Sequence, residues 1–133
     1  MPTVRLISDE EATGTVRAVF DDIKASKGID FVPNIWRALA TNPAHLELTW
    51  NKLKTVMGSG HLDTLTKEMI ALAVSITNGC EYCINSHSAA VLKLGLEPEA
   101  LGELIAVVDV FNGTNRIANA YQIESDVRPH VEE

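Results

Sequence analysis

Residues 63–95 read DTLTKEMIALAVSITNGCEYCINSHSAAVLKLG, and this stretch decides the fold class. Asp63 or Thr64 is suited to cap a helix N-terminus, and Leu65, Met69, Leu72, Ala73 and Ile76 then recur at the spacing of one helical face. The pattern predicts a helix over 65–76 with that face buried. Asn78-Gly79 interrupts it, and a second helix follows from about Cys80 to Leu94. Gly95 ends that helix, being the residue best suited to the left-handed position just past a helix C-terminus.

The same grammar runs outward in both directions. Upstream, Ser8 and Asp9 offer N-cap residues, and Val16, Val19, Phe20 and Ile23 keep helical spacing until Lys27-Gly28. Asp30-Phe31-Val32-Pro33 reads as a connector, because the residue before a proline avoids helical geometry. Asn34 can cap a short helix through Ile35, Trp36, Leu39 and Ala40. Pro43 then opens a third helix with Leu46, Trp50, Leu53 and Val56 or Met57 on one face, broken at Gly58-Ser59-Gly60. Downstream, Glu97-Pro98-Glu99 starts a helix that runs through Leu101, Leu104, Ile105, Val108 and Phe111 to Tyr121, with a bend or break expected at Asn112-Gly113. The expectation is an all-α chain of about six helices in a single domain spanning residues 1–133, its tail beyond Glu124 polar and loose.

Composition agrees. Of the 133 residues 46% are hydrophobic, enough for a real core, and only 5% are aromatic, which suits closely packed helices. A net charge of −7 with eleven scattered Lys and Arg argues against a nucleic-acid partner. Apolar runs such as Met69–Ile76 are far too short to span a bilayer, and Met1–Asp9 lacks the apolar core of a secretory signal, so a cytoplasmic protein is expected. Several apolar helix faces on a short chain point to a homo-oligomer.

Both cysteines lie in Cys80-Glu81-Tyr82-Cys83. A disulfide closing so short a loop restricts the unfolded chain very little, so stapling explains the pair poorly. In a reducing compartment a Cys-x-x-Cys is metal-binding or redox-active. Cys80 sits at a helix N-terminus, where unpaired N–H groups and the macrodipole favour a thiolate. At about 100° per residue, Cys80, Cys83 and His87 fall within a sector of roughly 60°. His87 is four residues beyond Cys83, within reach of that thiol directly or through one water. Glu68 lies at the margin of the preceding helix's apolar face, where a carboxylate can relay protons, although helical spacing cannot carry its direction across the Asn78-Gly79 break. A closed zinc site needs four ligands, and Cys80, Cys83 and His87 supply three, leaving His45, His61 or His130 to arrive from elsewhere. Redox use of the pair is the stronger reading.

Glu68, eleven intervening residues, then Cys80-x-x-Cys83-x-x-x-His87 resembles the AhpD-like alkylhydroperoxidase branch of the carboxymuconolactone decarboxylase family. The flanks are similar too: Val32-Pro33-Asn34-Ile35-Trp36-Arg37-Ala38-Leu39, Leu62-Asp63, Asn78-Gly79-Cys80 and Phe111-Asn112-Gly113-Thr114-Asn115-Arg116, so that the resemblance covers about residues 30–125. It implies a compact helical AhpD-like fold, trimers or hexamers, and peroxide reduction by a dithiol that cycles to a disulfide. Neither a cofactor nor a resident metal is expected. Carried over residue by residue, Cys83 resembles the peroxidatic thiol, Cys80 the resolving thiol, and His87 with Glu68 the proton relay. Simple electrostatics pulls the other way, making Cys80 the more acidic thiol, while adjacency to His87 favours Cys83.

The implied partners are a hydroperoxide and an external dithiol reductant such as a lipoylated or thioredoxin-like protein. Phe31, Trp36, Tyr82 and Phe111 are candidates to line the approach to the thiols, the alternative for Phe31, Trp36 and Phe111 being core packing. One departure stands out: the best-known peroxidases of this group carry a histidine where this chain has Tyr82. That leaves open a thiol–disulfide oxidoreductase or redox sensor without peroxidase turnover, beside a non-enzymatic metal-binding or structural oligomeric module.

Overall fold

The computed structural model describes residues 1–130, and it is helical. Its elements are α1 (Gly14–Lys27), α2 (Asn34–Leu39), α3 (Pro43–Met57), α4 (Thr64–Asn78), α5 (Glu81–Lys93) and α6 (Pro98–Ala120), with no strand among the described residues. The chain forms two compact units, Met1–Gly58 and a second beginning at Ser59.

In the first unit α1 and α2 pack on α3. Phe20, Ile23 and Leu46 are fully buried, and Trp36 meets Trp50 edge to face with ring centres 5.2 Å apart. Asp22 ties α1 to α3 by accepting from Trp50 Nε1 at 2.7 Å and Lys54 Nζ at 2.6 Å. The Lys54 ammonium, with the Trp50 indole, holds the Asp22 carboxyl below the usual carboxylate range.

The start of α1 differs from the expectation. Ser8 and Glu11 close a reciprocal pair of bonds around a single turn, with Ser8 N–H donating to Glu11 Oε2 at 2.9 Å and Glu11 N–H to Ser8 Oγ at 3.2 Å. Asp9 instead accepts from Lys24 at 2.6 Å and Arg17 at 2.9 Å. The capping signals are therefore used before the helix, which begins six residues beyond Ser8, at Gly14. Asn34 is likewise the first residue of α2 and no cap, its Oδ1 accepting from Arg37 Nη1 at 3.2 Å.

In the second unit α4 packs on α5 and on α6. Asp63 is the cap, accepting the Thr66 N–H at 2.7 Å, a bond that lowers its carboxyl below the ordinary range. Of the predicted apolar stripe on α4 only Leu72 is fully buried. Met69 and Ala73 line an open groove between α4 and α6, because this helix serves neighbours on two sides. α6 runs unbroken through Asn112-Gly113. Thr77 Oγ1 donates to Asn112 Oδ1 at 3.0 Å, which keeps that amide from competing for its own backbone. No described helix is long and apolar enough to cross a membrane.

Candidate active site

The junction of α4 and α5 is two residues long. Gly79 adopts the left-handed conformation at φ 67°, where a side chain would be strained, and Cys80 N–H donates back to Ser75 O at 3.0 Å. That closure ends α4 and places Cys80 as the cap of α5. Its Sγ accepts the Cys83 N–H at 3.2 Å, the bond a capping serine or aspartate would take. The sulfur predicted to lie at a helix N-terminus does lie there.

Cys80 and Cys83 are joined as a disulfide, their Cα atoms 5.3 Å apart, and both residues are half-buried. On the same helix His87 meets Glu68 of α4: Nδ1 and Oε2 stand 2.6 Å apart, with the two side chains 28% and 18% exposed. The contact is only partly shielded from water, which strengthens it modestly. An ionised carboxylate only accepts, so in the neutral imidazole Nδ1 carries the proton and Nε2 is left as the basic nitrogen. Glu68 is thus turned towards α5 and bonded to the histidine that shares a face with the cysteines. No group of three His, Cys, Asp or Glu side chains among the described residues is arranged to hold a metal ion.

Of the four aromatic candidates, Phe31 and Trp36 belong to the first unit and Tyr82 and Phe111 to the second. Trp36 is 4% exposed within the core of the first unit, and Phe31, 59% exposed, is in the loop before α2. Phe111 lines a second hollow between α4 and α6, of about 320 Å³. Tyr82 is exposed on α5, roughly 140° around the helix from His87. It therefore does not stand between the thiols and the imidazole.

One residue of this face was not anticipated. Ser75 is the buried polar residue of the described chain, its Oγ donating to Ala71 O at 2.7 Å. It stands seven residues from Glu68, and that i, i+7 spacing was the available signal.

Comparison with known proteins bears on this geometry. The model of the carboxymuconolactone decarboxylase family matches residues 43–124, more than half of the chain and all of the dithiol region. The chain belongs to this family. Within it the chain is AhpD-like: it is 50% identical to the crystal structure of an alkylhydroperoxidase AhpD core from Rhodospirillum rubrum, with a TM-score of 0.91 over 95% of each chain. An alkyl hydroperoxide reductase AhpD from Coxiella burnetii is 25% identical over 118 residues, covering 86% of this chain and 67% of that protein. A protein of the same name from Azorhizobium caulinodans is 31% identical over 93 residues, covering 68% of this chain and 51% of its own. The chain thus spans between half and two thirds of these two relatives. The all-α AhpD-like fold expected for this family member is the one observed.

Proposed function

We propose that this protein is an alkylhydroperoxidase-like oxidoreductase that reduces hydroperoxides through the Cys80–Cys83 dithiol, with His87 and Glu68 relaying protons. The observation that carries the reading is the disulfide on the first turn of α5 beside a histidine held by a half-buried carboxylate. The names of the relatives point to the same class.

Cys83 is the attacking thiol in this scheme because it lies one helical turn from His87. His87 Nε2 takes its proton, and Glu68 steadies the imidazolium that results. The Cys83 thiolate attacks the outer peroxide oxygen, the O–O bond breaks, and the alkoxide leaves as an alcohol after taking a proton from the relay. Cys83 is then a sulfenic acid, and Cys80 condenses with it, releasing water and forming the disulfide. An external dithiol, such as a lipoylated or thioredoxin-like protein, returns two electrons and two protons. No nucleic-acid or membrane partner is invoked, and a cytoplasmic setting suits a dithiol that must be reduced in every cycle.

Self-association into a trimer or hexamer belongs to the proposal. Ile70, Val74, Val107, Val110, Phe111 and Ile117 are all exposed on α4 and α6, and a second copy of the chain would cover such apolar side chains.

The test is consumption of an organic hydroperoxide by purified protein under a dithiol reductant, run beside reduction of a model protein disulfide. Peroxide turnover with formation of one disulfide per chain is expected. Reduction of the model disulfide with no peroxide turnover would transfer the chain to the thiol–disulfide oxidoreductases.

A further inference from the structure

Ser75 is out of place as a structural residue. It is 7% exposed on a helix otherwise rich in Ala, Leu, Ile and Val, and serine forms helices less well than alanine. Its hydroxyl bonds back to Ala71 O at 2.7 Å. That carbonyl is the regular acceptor of the residue-75 N–H in an α-helix, so the extra bond adds nothing that the helix lacks. Alanine would fit the same position at no cost in packing or hydrogen bonding.

What distinguishes Ser75 is its place. It continues the Glu68–Leu72 stripe of α4 towards α5, and its own carbonyl holds the Cys80 N–H at 3.0 Å. The residue is therefore fastened to the cysteine whose sulfur caps α5. That sulfur already accepts one N–H, from Cys83 at 3.2 Å. In the oxidised protein the hydroxyl makes the ordinary i−4 bond of a helical serine, to Ala71 O, and a disulfide sulfur is only a weak acceptor. A thiolate is a strong one.

We propose that Ser75 is the second hydrogen-bond donor to Cys80, engaged when the disulfide opens, and that it makes Cys80 the preferred leaving thiolate during reduction. The inference rests on the dithiol cycle proposed above. In the step concerned, a thiolate of the external dithiol attacks Cys83 Sγ and forms a mixed disulfide. The Cys80–Cys83 bond breaks, and its electron pair goes to Cys80 Sγ, where the Ser75 hydroxyl turns from Ala71 O to meet it. The reductant's second thiol then attacks its own sulfur in the mixed disulfide, releases Cys83 as thiolate and departs as a cyclic disulfide. Its two protons end on the two cysteines, and its two electrons have passed to them. A better-stabilised leaving thiolate speeds the first of these attacks.

The test isolates Cys80 in the 133-residue chain by Cys83→Ser and follows thiolate absorbance against pH, with and without Ser75→Ala. A hydrogen bond to a charged group corresponds to a shift of about one unit, so Ser75→Ala should raise the titration midpoint of Cys80 by about that much. Ser75→Thr, which keeps the hydroxyl, should restore it. With both cysteines present, reduction of the oxidised protein by dithiothreitol should slow about threefold in Ser75→Ala, as expected when half of that shift appears in the leaving-group rate. Helical content in Ser75→Ala should equal or exceed the parent's. An unchanged midpoint and an unchanged reduction rate in such a folded variant would overturn the role of Ser75. Absence of peroxide turnover in the unaltered protein would overturn the peroxidase reading alone, since neither measurement on Ser75 uses peroxide.

Discussion

Glu68→Gln probes the contact between α4 and His87 with the least disturbance. The amide matches the carboxylate in shape, and its Oε1 can still accept from His87 Nδ1, so the substitution removes charge and keeps the bond. A hydrogen bond to a charged group contributes about 1.5–3 kcal/mol and a neutral one about 0.5–1.5, a difference of about 1–1.5 kcal/mol. The pair is partly open to water, Glu68 at 18% and His87 at 28% exposed, so the lower end applies. At 1.4 kcal/mol per factor of ten, a loss of about 1 kcal/mol predicts a fall of about fivefold in kcat/KM. Glu68→Ala also removes the group that orients the ring, and its loss should approach the ~100-fold lower bound for general acid–base catalysis. The assay is hydroperoxide consumption under an external dithiol, with thiol content and helical signal confirming an intact fold. Combination with His87→Asn sharpens it: once the imidazole is gone, Glu68→Gln should cost nothing further, because residues acting as a unit are not additive. The reasoning fails if Glu68→Gln stays within about twofold of the parent, or if the two single losses multiply in the double variant.

Three further expectations concern the thiols, the core and pH. Cys83→Ser should abolish peroxide turnover, whereas Cys80→Ser should allow one turnover and stop at a sulfenic acid that a dimedone-type probe traps; the reverse pattern exchanges the two roles. Leu72→Ala, at a fully buried position between Glu68 and Ser75 on α4, should lower unfolding free energy by about 2–4 kcal/mol in denaturant titration, and a smaller loss would mean that the core of the second unit is less tightly packed than the burial of Leu72 implies. Asp22 has its carboxyl held below the ordinary value of 3.8 by Lys54 and then Trp50, so its contribution to stability is complete above that value and disappears as pH falls through the lower folded one. Asp22→Asn should therefore flatten part of the acid limb of a stability–pH curve without altering its slope near neutrality, and an unchanged acid limb would remove the network from the account.

The helices around the dithiol were legible because each signal there has one use. Asp63 caps α4, Gly95 follows α5 at φ 97°, and Cys80 takes the cap of α5 itself. Residues with two possible uses are the ones that helical patterning does not resolve. Ser8 could cap a helix or close a turn with Glu11, and it closes the turn; Asp9 could cap or pair, and it pairs with Lys24 and Arg17. Asn112-Gly113 could break α6, but Thr77 holds the Asn112 amide, and one interior glycine costs a helix only about 1 kcal/mol. The direction of Glu68 was beyond reach for a geometric reason. It depends on the angle between α4 and α5, which the positive φ of Gly79 and the Cys80–Ser75 bond determine, and neither is encoded in helical periodicity. A serine in mid-helix is neutral by itself, so the place of Ser75 beside Cys80 depends on how α5 is laid against α4.

The brevity of the Cys80–Cys83 loop separates two quantities that many disulfide proteins join. Its bond encloses only the first turn of α5, whose geometry the cap already specifies, so making or breaking it changes the freedom of the unfolded chain very little. In the dithiol cycle proposed above, the reduced and oxidised proteins should therefore unfold at nearly the same denaturant concentration, so that turnover and stability are set by different parts of the chain.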